Sequence, residues 1–151
     1  MTEEEIVPII FKKSDEIEVI LNGSQTESIY TSILKYGLST KKFLYVDFKG
    51  EENYEITNYI LDYEFSHQLE LASLDELEDL DTFEYEFLPE KIKEVNKVLS
   101  TKGCGLFSYP TEGDFYALFI AKLEDKAKLL QVELLEDEYI PYKERFIQYF
   151  S

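Results

Sequence analysis

The chain has no tryptophan and, across 151 residues, only one cysteine, one histidine and one methionine. A single cysteine, Cys104, excludes an internal disulfide. One Cys and one His cannot supply a usual structural zinc site. No stretch approaches the roughly 18 consecutive apolar residues of a membrane-crossing helix. The N-terminal Met1-Thr2-Glu3-Glu4-Glu5 lacks the basic start of a signal peptide, and the apolar run Ile6 to Phe11 is short and contains Pro8. A cytoplasmic location is therefore expected. Gly-x-Gly-x-x-Gly, the P-loop and Gly-x-Ser-x-Gly are all missing, so neither nucleotide binding nor a nucleophile elbow has a motif behind it. Six Gly and four Pro are scattered as punctuation, with no linker or repeat. Residues 1–151 read as one domain.

Basic residues are scarce in one place above all. Residues 51–90 hold fourteen Asp and Glu and no Lys or Arg. The remainder has eighteen acids against fifteen bases, a balance of −3, so nearly all of the net charge of −17 lies in that stretch. Solubility alone asks for a magnitude of about 2–8 in a small domain. Like charge at this density opposes the compact state, and a cationic partner would relieve it. Direct binding of nucleic acid or anionic lipid needs a basic footprint, which is absent.

The apolar pattern predicts an α+β order. Residues 3–21 are ambiguous, with a helix from Ser14 to Leu21 capped by Ser14. A second helix, capped by Ser24 or Thr26, follows through Ile29, Ile33 and Tyr36 and ends with Gly37 at the C′ position. A strand is predicted near 41–48, in KKFLYVDF. A helix from Glu51 to Phe65 follows, with Ile56, Tyr59, Ile60 and Tyr63 on one face and acids outward. Ser73 caps a short helix over Leu74, Leu77 and Leu80. Thr82 to Phe87 alternates as a strand does, or is an extended connection. Pro89 opens a helix that Gly103 closes. A hairpin is predicted near 105–121, then helices over Glu124 to Leu135 and from Pro141 onward. The sheet is small and mostly antiparallel, with helices covering one face.

Catalytic and metal-binding candidates are weak. Cys104, between two glycines after a helix C-terminus, lacks the positive environment that activates a thiol and reads as a small buried residue. His67 has no nucleophile paired with it and reads as a structural or surface residue, with a catalytic role left open. Asp75 to Asp81 resembles a calcium loop in composition but has Leu77 and Leu80 where a ligand and Gly are required. Carboxylate pairs for acid–base chemistry cannot be selected from thirty-two acids. No cofactor, metal or catalytic residue is assigned.

Acids and tyrosines share one predicted helix: Glu51, Glu52, Tyr54, Glu55, Tyr59, Asp62 and Tyr63. In that pattern the chain resembles small acidic bacterial immunity proteins of the antitoxin type. The segments LYVDFKGEENYEI and LFSYPTEGDFYALFIAKLEDKAKLL are similar to parts of small bacterial proteins, some of them neighbours of toxins. The resemblance implies a non-enzymatic protein that neutralises a basic toxin or nuclease. Carboxylates would steer the partner over a Debye length of about 8 Å, and aromatic side chains would anchor it. The expected contact residues are Glu51, Glu52, Glu55, Tyr59, Asp62, Tyr63, Asp75, Glu76, Glu78 and Asp79, with Tyr59 and Tyr63 the first to be lost if the core claims them. A small enzyme with a carboxylate-lined pocket and an oligomeric accessory domain are the alternatives.

Overall fold

The computed structural model describes residues 2–151; Met1, included in the single-domain expectation, lies outside the described residues. Four strands form one antiparallel sheet: β1 (Leu44–Asp47), β2 (Cys104–Tyr109), β3 (Phe115–Lys122) and β4 (Gln148–Tyr149), in spatial order β1-β3-β2-β4. Seven α-helices accompany it among the described residues: α1 (Val7–Ile10), α2 (Ser14–Gly23), α3 (Ile29–Ser39), α4 (Glu55–His67), α5 (Leu74–Thr82), α6 (Leu88–Leu99) and α7 (Lys126–Leu129). The α+β class is therefore as the sequence predicts. The expected hairpin is β2–β3, paired from Cys104–Lys122 to Tyr109–Ala117.

Helices cover both faces of this sheet, not one. Alternate residues of the central strands feed two cores. Phe107, Tyr109, Ala117 and Phe119 join Ile6, Ile10, Phe11, Ile20 and Ile33 on one side. Leu106, Leu118 and Ile120 join Ile56, Ile60, Leu80, Ile92, Val95 and Leu99 on the other. All six residues of β2 are buried, as a strand sandwiched between two layers requires.

Several boundaries moved for identifiable reasons. Lys13, not Ser14, occupies the N-cap position of α2, without a side-chain cap. Ser28, not Ser24 or Thr26, caps α3, its hydroxyl accepting the Thr31 N–H at 3.1 Å. Gly37 lies inside α3 because the Phe43 ring packs over its Cα; a Cβ there would come within 2.5 Å of the ring. β1 starts at Leu44 because the turn out of α3 consumes Thr40 to Phe43, closed by the Phe43 N–H on the Gly37 carbonyl at 2.9 Å. α4 starts at Glu55, since Gly50 (φ 120°) and Tyr54 (φ 52°) bend the chain away from helix first.

The short helix predicted from Ser73 is α5, and it carries a full capping box. The Ser73 hydroxyl accepts the Glu76 N–H at 3.1 Å, and Glu76 accepts the Ser73 N–H at 2.9 Å. Residues 83–87 pair with no strand and form the extended connection into α6. The C-terminal region departs most. The helix expected over Glu124 to Leu135 shrinks to a 3-10 turn and the four residues of α7. The last expected helix is a 3-10 turn, Tyr142–Arg145, leading into β4. Val132, Leu134 and Leu135 are all buried, a run no surface helix face accommodates. Glu133 instead bridges Phe146, drawing this segment alongside the C-terminal one.

Candidate functional site

α4 and α5 lie side by side and antiparallel. At one end the Thr57 hydroxyl donates to Asp81. At the other, the Glu64 carboxylate accepts the Leu71 and Ala72 N–H groups at 2.6 and 3.0 Å, folding the connecting loop back. Ile56, Thr57, Ile60, Leu77 and Leu80 are buried on the inner side of the pair. Asp62 on α4, Asp75, Glu78 and Asp79 on α5, and Glu52 and Glu70 in the flanking segments are exposed.

Five ion pairs exist among the described residues. Only one involves residues 51–90: Lys91 Nζ to Glu51 Oε1 at 3.0 Å, with 3% and 7% of the side chains exposed. The other acids of the stretch have no lysine or arginine partner among the described residues.

The expected contact residues divide accordingly. Glu51 is removed from any interface by its buried ion pair, and its second oxygen accepts the Ile56 N–H at 2.8 Å, at the start of α4. Tyr59 is also lost to the interior: its hydroxyl donates to the Lys42 carbonyl, and burial raises its pKa. Tyr63 is half-buried under His67, with ring centroids 3.8 Å apart. Glu76 is half-buried in the capping box. Glu52, Asp62, Asp75, Glu78 and Asp79 remain exposed. Glu55, partly buried, has one carboxylate oxygen shielded from solvent without a hydrogen-bond partner.

Two concavities flank α4. One, of about 750 Å³, lies between α4 and the segment from α3 into β1, and Glu16, Lys41, Lys42, Glu55, Asp62 and His67 contribute its acidic and basic side chains. Burial lowers the Lys42 pKa; the nearby Lys12 lowers it further and Glu16 opposes. The Lys42 ammonium stands 5.7 Å from the Tyr63 ring centre. His67 is exposed, and its Nδ1 is 3.0 Å from both the Tyr63 carbonyl and the Ser66 hydroxyl. That Ser66 hydroxyl also donates to the Tyr63 carbonyl, which gives it a helix-end role. Cys104 is buried, and that burial raises its thiol pKa. Among the described residues no three His, Cys, Asp or Glu side chains converge as a metal would need.

The second concavity, an open groove of about 1040 Å³, runs between the C-terminal half of α4 and the start of α5. Its walls include Leu61, Phe65, Leu69 and Leu74, which are 40%, 87%, 41% and 81% exposed. Glu64 and Glu70 line it too, and no lysine or arginine does. Sequence reasoning missed these hydrophobics, although a signal existed. At about 100° per residue, Leu61 and Phe65 stand roughly 140° and 180° from Ile56, opposite the predicted face of Ile56, Tyr59, Ile60 and Tyr63.

Glu55 gives a stability prediction. Burial, followed by Glu51, Glu52 and Asp47 nearby, raises its pKa above 4.5, while a backbone hydrogen bond at Glu52 opposes the shift. The charged form is thus disfavoured in the folded state. The penalty is complete above the folded pKa and disappears below the unfolded value of 4.5. Glu55→Gln should raise the melting temperature at neutral pH by at most about 3 °C, and the gain should vanish in melts below that value.

No helix among the described residues is long and apolar enough to cross a membrane. The family model described as "Domain of unknown function (DUF6630)" matches residues 11–136. No curated protein and no solved structure matches the chain.

Proposed function

The chain belongs to the DUF6630 family, and from that premise we propose that it is a non-enzymatic acidic binding protein that neutralises a basic partner, in the manner of an immunity protein. The observation that carries this reading is the absence of internal compensation. Of the fourteen acids in residues 51–90, Glu51 alone has a lysine partner among the described residues. A carboxylate pointing into solvent without a counter-ion keeps its long-range field, which accelerates encounter with a cationic surface. Asp75, Glu78 and Asp79 are exposed together on α5, and Asp62 on α4 and Glu52 just before it are exposed as well. The partner surface is therefore basic, as a toxin or nuclease cleft would be.

The test is association with any basic toxin-like domain encoded beside the gene, and with basic nuclease domains as probes, measured at low and physiological salt. Rates should fall steeply with salt. Reversing Asp75, Glu78 and Asp79 to Lys should slow association about tenfold or more. A partner whose rate ignores both changes contradicts the proposal.

A second reading, a small-molecule site in the 750 Å³ cleft, is favoured by Lys42 and Glu55, two groups with shifted proton affinity that line it together. That cleft presents two lysines and three carboxylates, so it selects no sign of charge.

A further inference from the structure

We propose that the groove between α4 and α5 is the seat of an amphipathic helix presented by the basic partner, with Phe65 and Leu74 as the apolar anchors. This rests on the basic-partner reading above and specifies how such a partner docks.

Phe65 and Leu74 leave most of their surface in water, at 87% and 81% exposed, and Leu61 and Leu69 stand beside them. Single exposed hydrophobics are ordinary, but four large ones lining one groove mark a contact site. The backbone around the groove selects the occupant's conformation. α4, α5 and their connecting loop form its walls, and no strand contributes a residue. The free sheet edges belong to β1 and β4, so an extended peptide would find no backbone ladder here. A helix satisfies its own backbone and needs only a row of side chains at i, i+3, i+4 and i+7 to fill an apolar channel.

Charge selects the sign of the helix flanks. Glu64 and Glu70 line the groove, and Asp75 and Glu78 are exposed on α5 beside Leu74 and Leu77. The partial negative charge at the C-terminal end of α4 is offset by the partial positive charge at the start of α5, so the carboxylates set the sign. A helix with one apolar face and lysines or arginines along both margins complements this arrangement. A second copy of this chain would bring another −17 against it, and an anionic lipid surface would be repelled.

Three synthetic peptides of equal length and net positive charge provide the test with the full-length protein. One is a Leu/Lys sequence patterned as an amphipathic helix, one is its scramble, and one is Lys-rich without leucine. Binding is read by fluorescence anisotropy at low and physiological salt, and bound-state helicity by circular dichroism. The patterned peptide should bind about tenfold or more tightly than the scramble and become helical on binding. Phe65→Ser and Leu74→Ser should each weaken it about tenfold, with unchanged melting curves because both side chains are exposed. Equal binding of all three peptides, abolished by Asp75→Lys and Glu78→Lys, would overturn the helix proposal and leave the basic-partner reading standing. Binding of none would remove both. A protein dimer that dissociates on Phe65→Ser would show a second copy in the groove and overturn the proposal.

Discussion

Lys91→Met should destabilise the protein by about 3–5 kcal/mol, the cost typical of removing one partner from a buried ion pair. Lys91 and Glu51 are almost fully enclosed, and their charged atoms lie 3.0 Å apart. Methionine fills the same channel but leaves the buried Glu51 carboxylate without a counter-ion, held only by neutral donors such as the Ile56 N–H, which it accepts at 2.8 Å. The damage extends further because Glu51 is a junction. Its own N–H donates to the Tyr85 hydroxyl at 2.9 Å, and the Lys91 ammonium lies 5.7 Å from the Tyr85 ring centre. Gly50 admits that tyrosine: at its φ of 120°, a Cβ would fall 2.9 Å from the Tyr85 oxygen. The start of α4, the connection before α6 and α6 itself thus meet at one pair of charges. Stability of a domain is only about 5–15 kcal/mol, so chemical denaturation should show a large loss. The double variant Lys91→Met/Glu51→Gln should recover part of it, since no unpaired charge stays buried. A single-variant loss below about 1 kcal/mol would show that the pair is solvated in solution.

Asn96→Ala should cost about 3 kcal/mol or more and loosen the C-terminal strand. Asn96 is buried in α6, yet its amide is fully engaged with the sheet. Its Oδ1 accepts the Leu106 N–H at 2.7 Å, and its Nδ2 donates to the Leu106 and Phe150 carbonyls at 3.2 and 2.7 Å. The side chain acts as a short extra strand along β2, where β4 pairs only through Phe107 and Ser108. Alanine would leave a buried N–H and two carbonyls without that partner, at about 1–3 kcal/mol for each group left unsatisfied. Hydrogen exchange should accelerate at 146–150 more than in the β2–β3 hairpin. Equal protection in both would show that β4 is held by Ile147 and Tyr149 packing instead.

These two residues mark where sequence reading stops. The hairpin was legible because alternating Phe, Leu and Ala flank a Pro-Thr-Glu-Gly-Asp turn. α5 was legible because Ser73, a capping residue, directly precedes leucines at 74, 77 and 80, relations confined to a few residues. Lys91 and Asn96 sit on a helix whose amphipathic period correctly predicts its inner face. That period cannot reveal that an inward lysine meets Glu51, or that an inward asparagine completes a strand. β4 was read as helix because Phe146, Ile147 and Phe150 recur at helical spacing. Its two residues become strand by lying along the open edge of β2, a contact made across forty residues.

The candidate site was legible to the same extent. Acid density and the outward phase of Leu61 and Phe65 follow from composition and from the helical repeat. The loss of Glu51 and Tyr59 from the surface does not, because burial is a property of what packs against a residue.

By itself, the chain's order of residues determined its excess of negative charge, where that charge is concentrated along the backbone, its α+β class and the positions of its most local elements. Tertiary structure alone decided which carboxylate is matched by a lysine, which hydrophobics are left in water beside the others, and that both faces of the sheet are covered. The reason is range. Charge, periodicity and capping act within one or two turns of chain, whereas burial and ion pairing depend on groups brought together from distant positions, whose meeting no local pattern encodes.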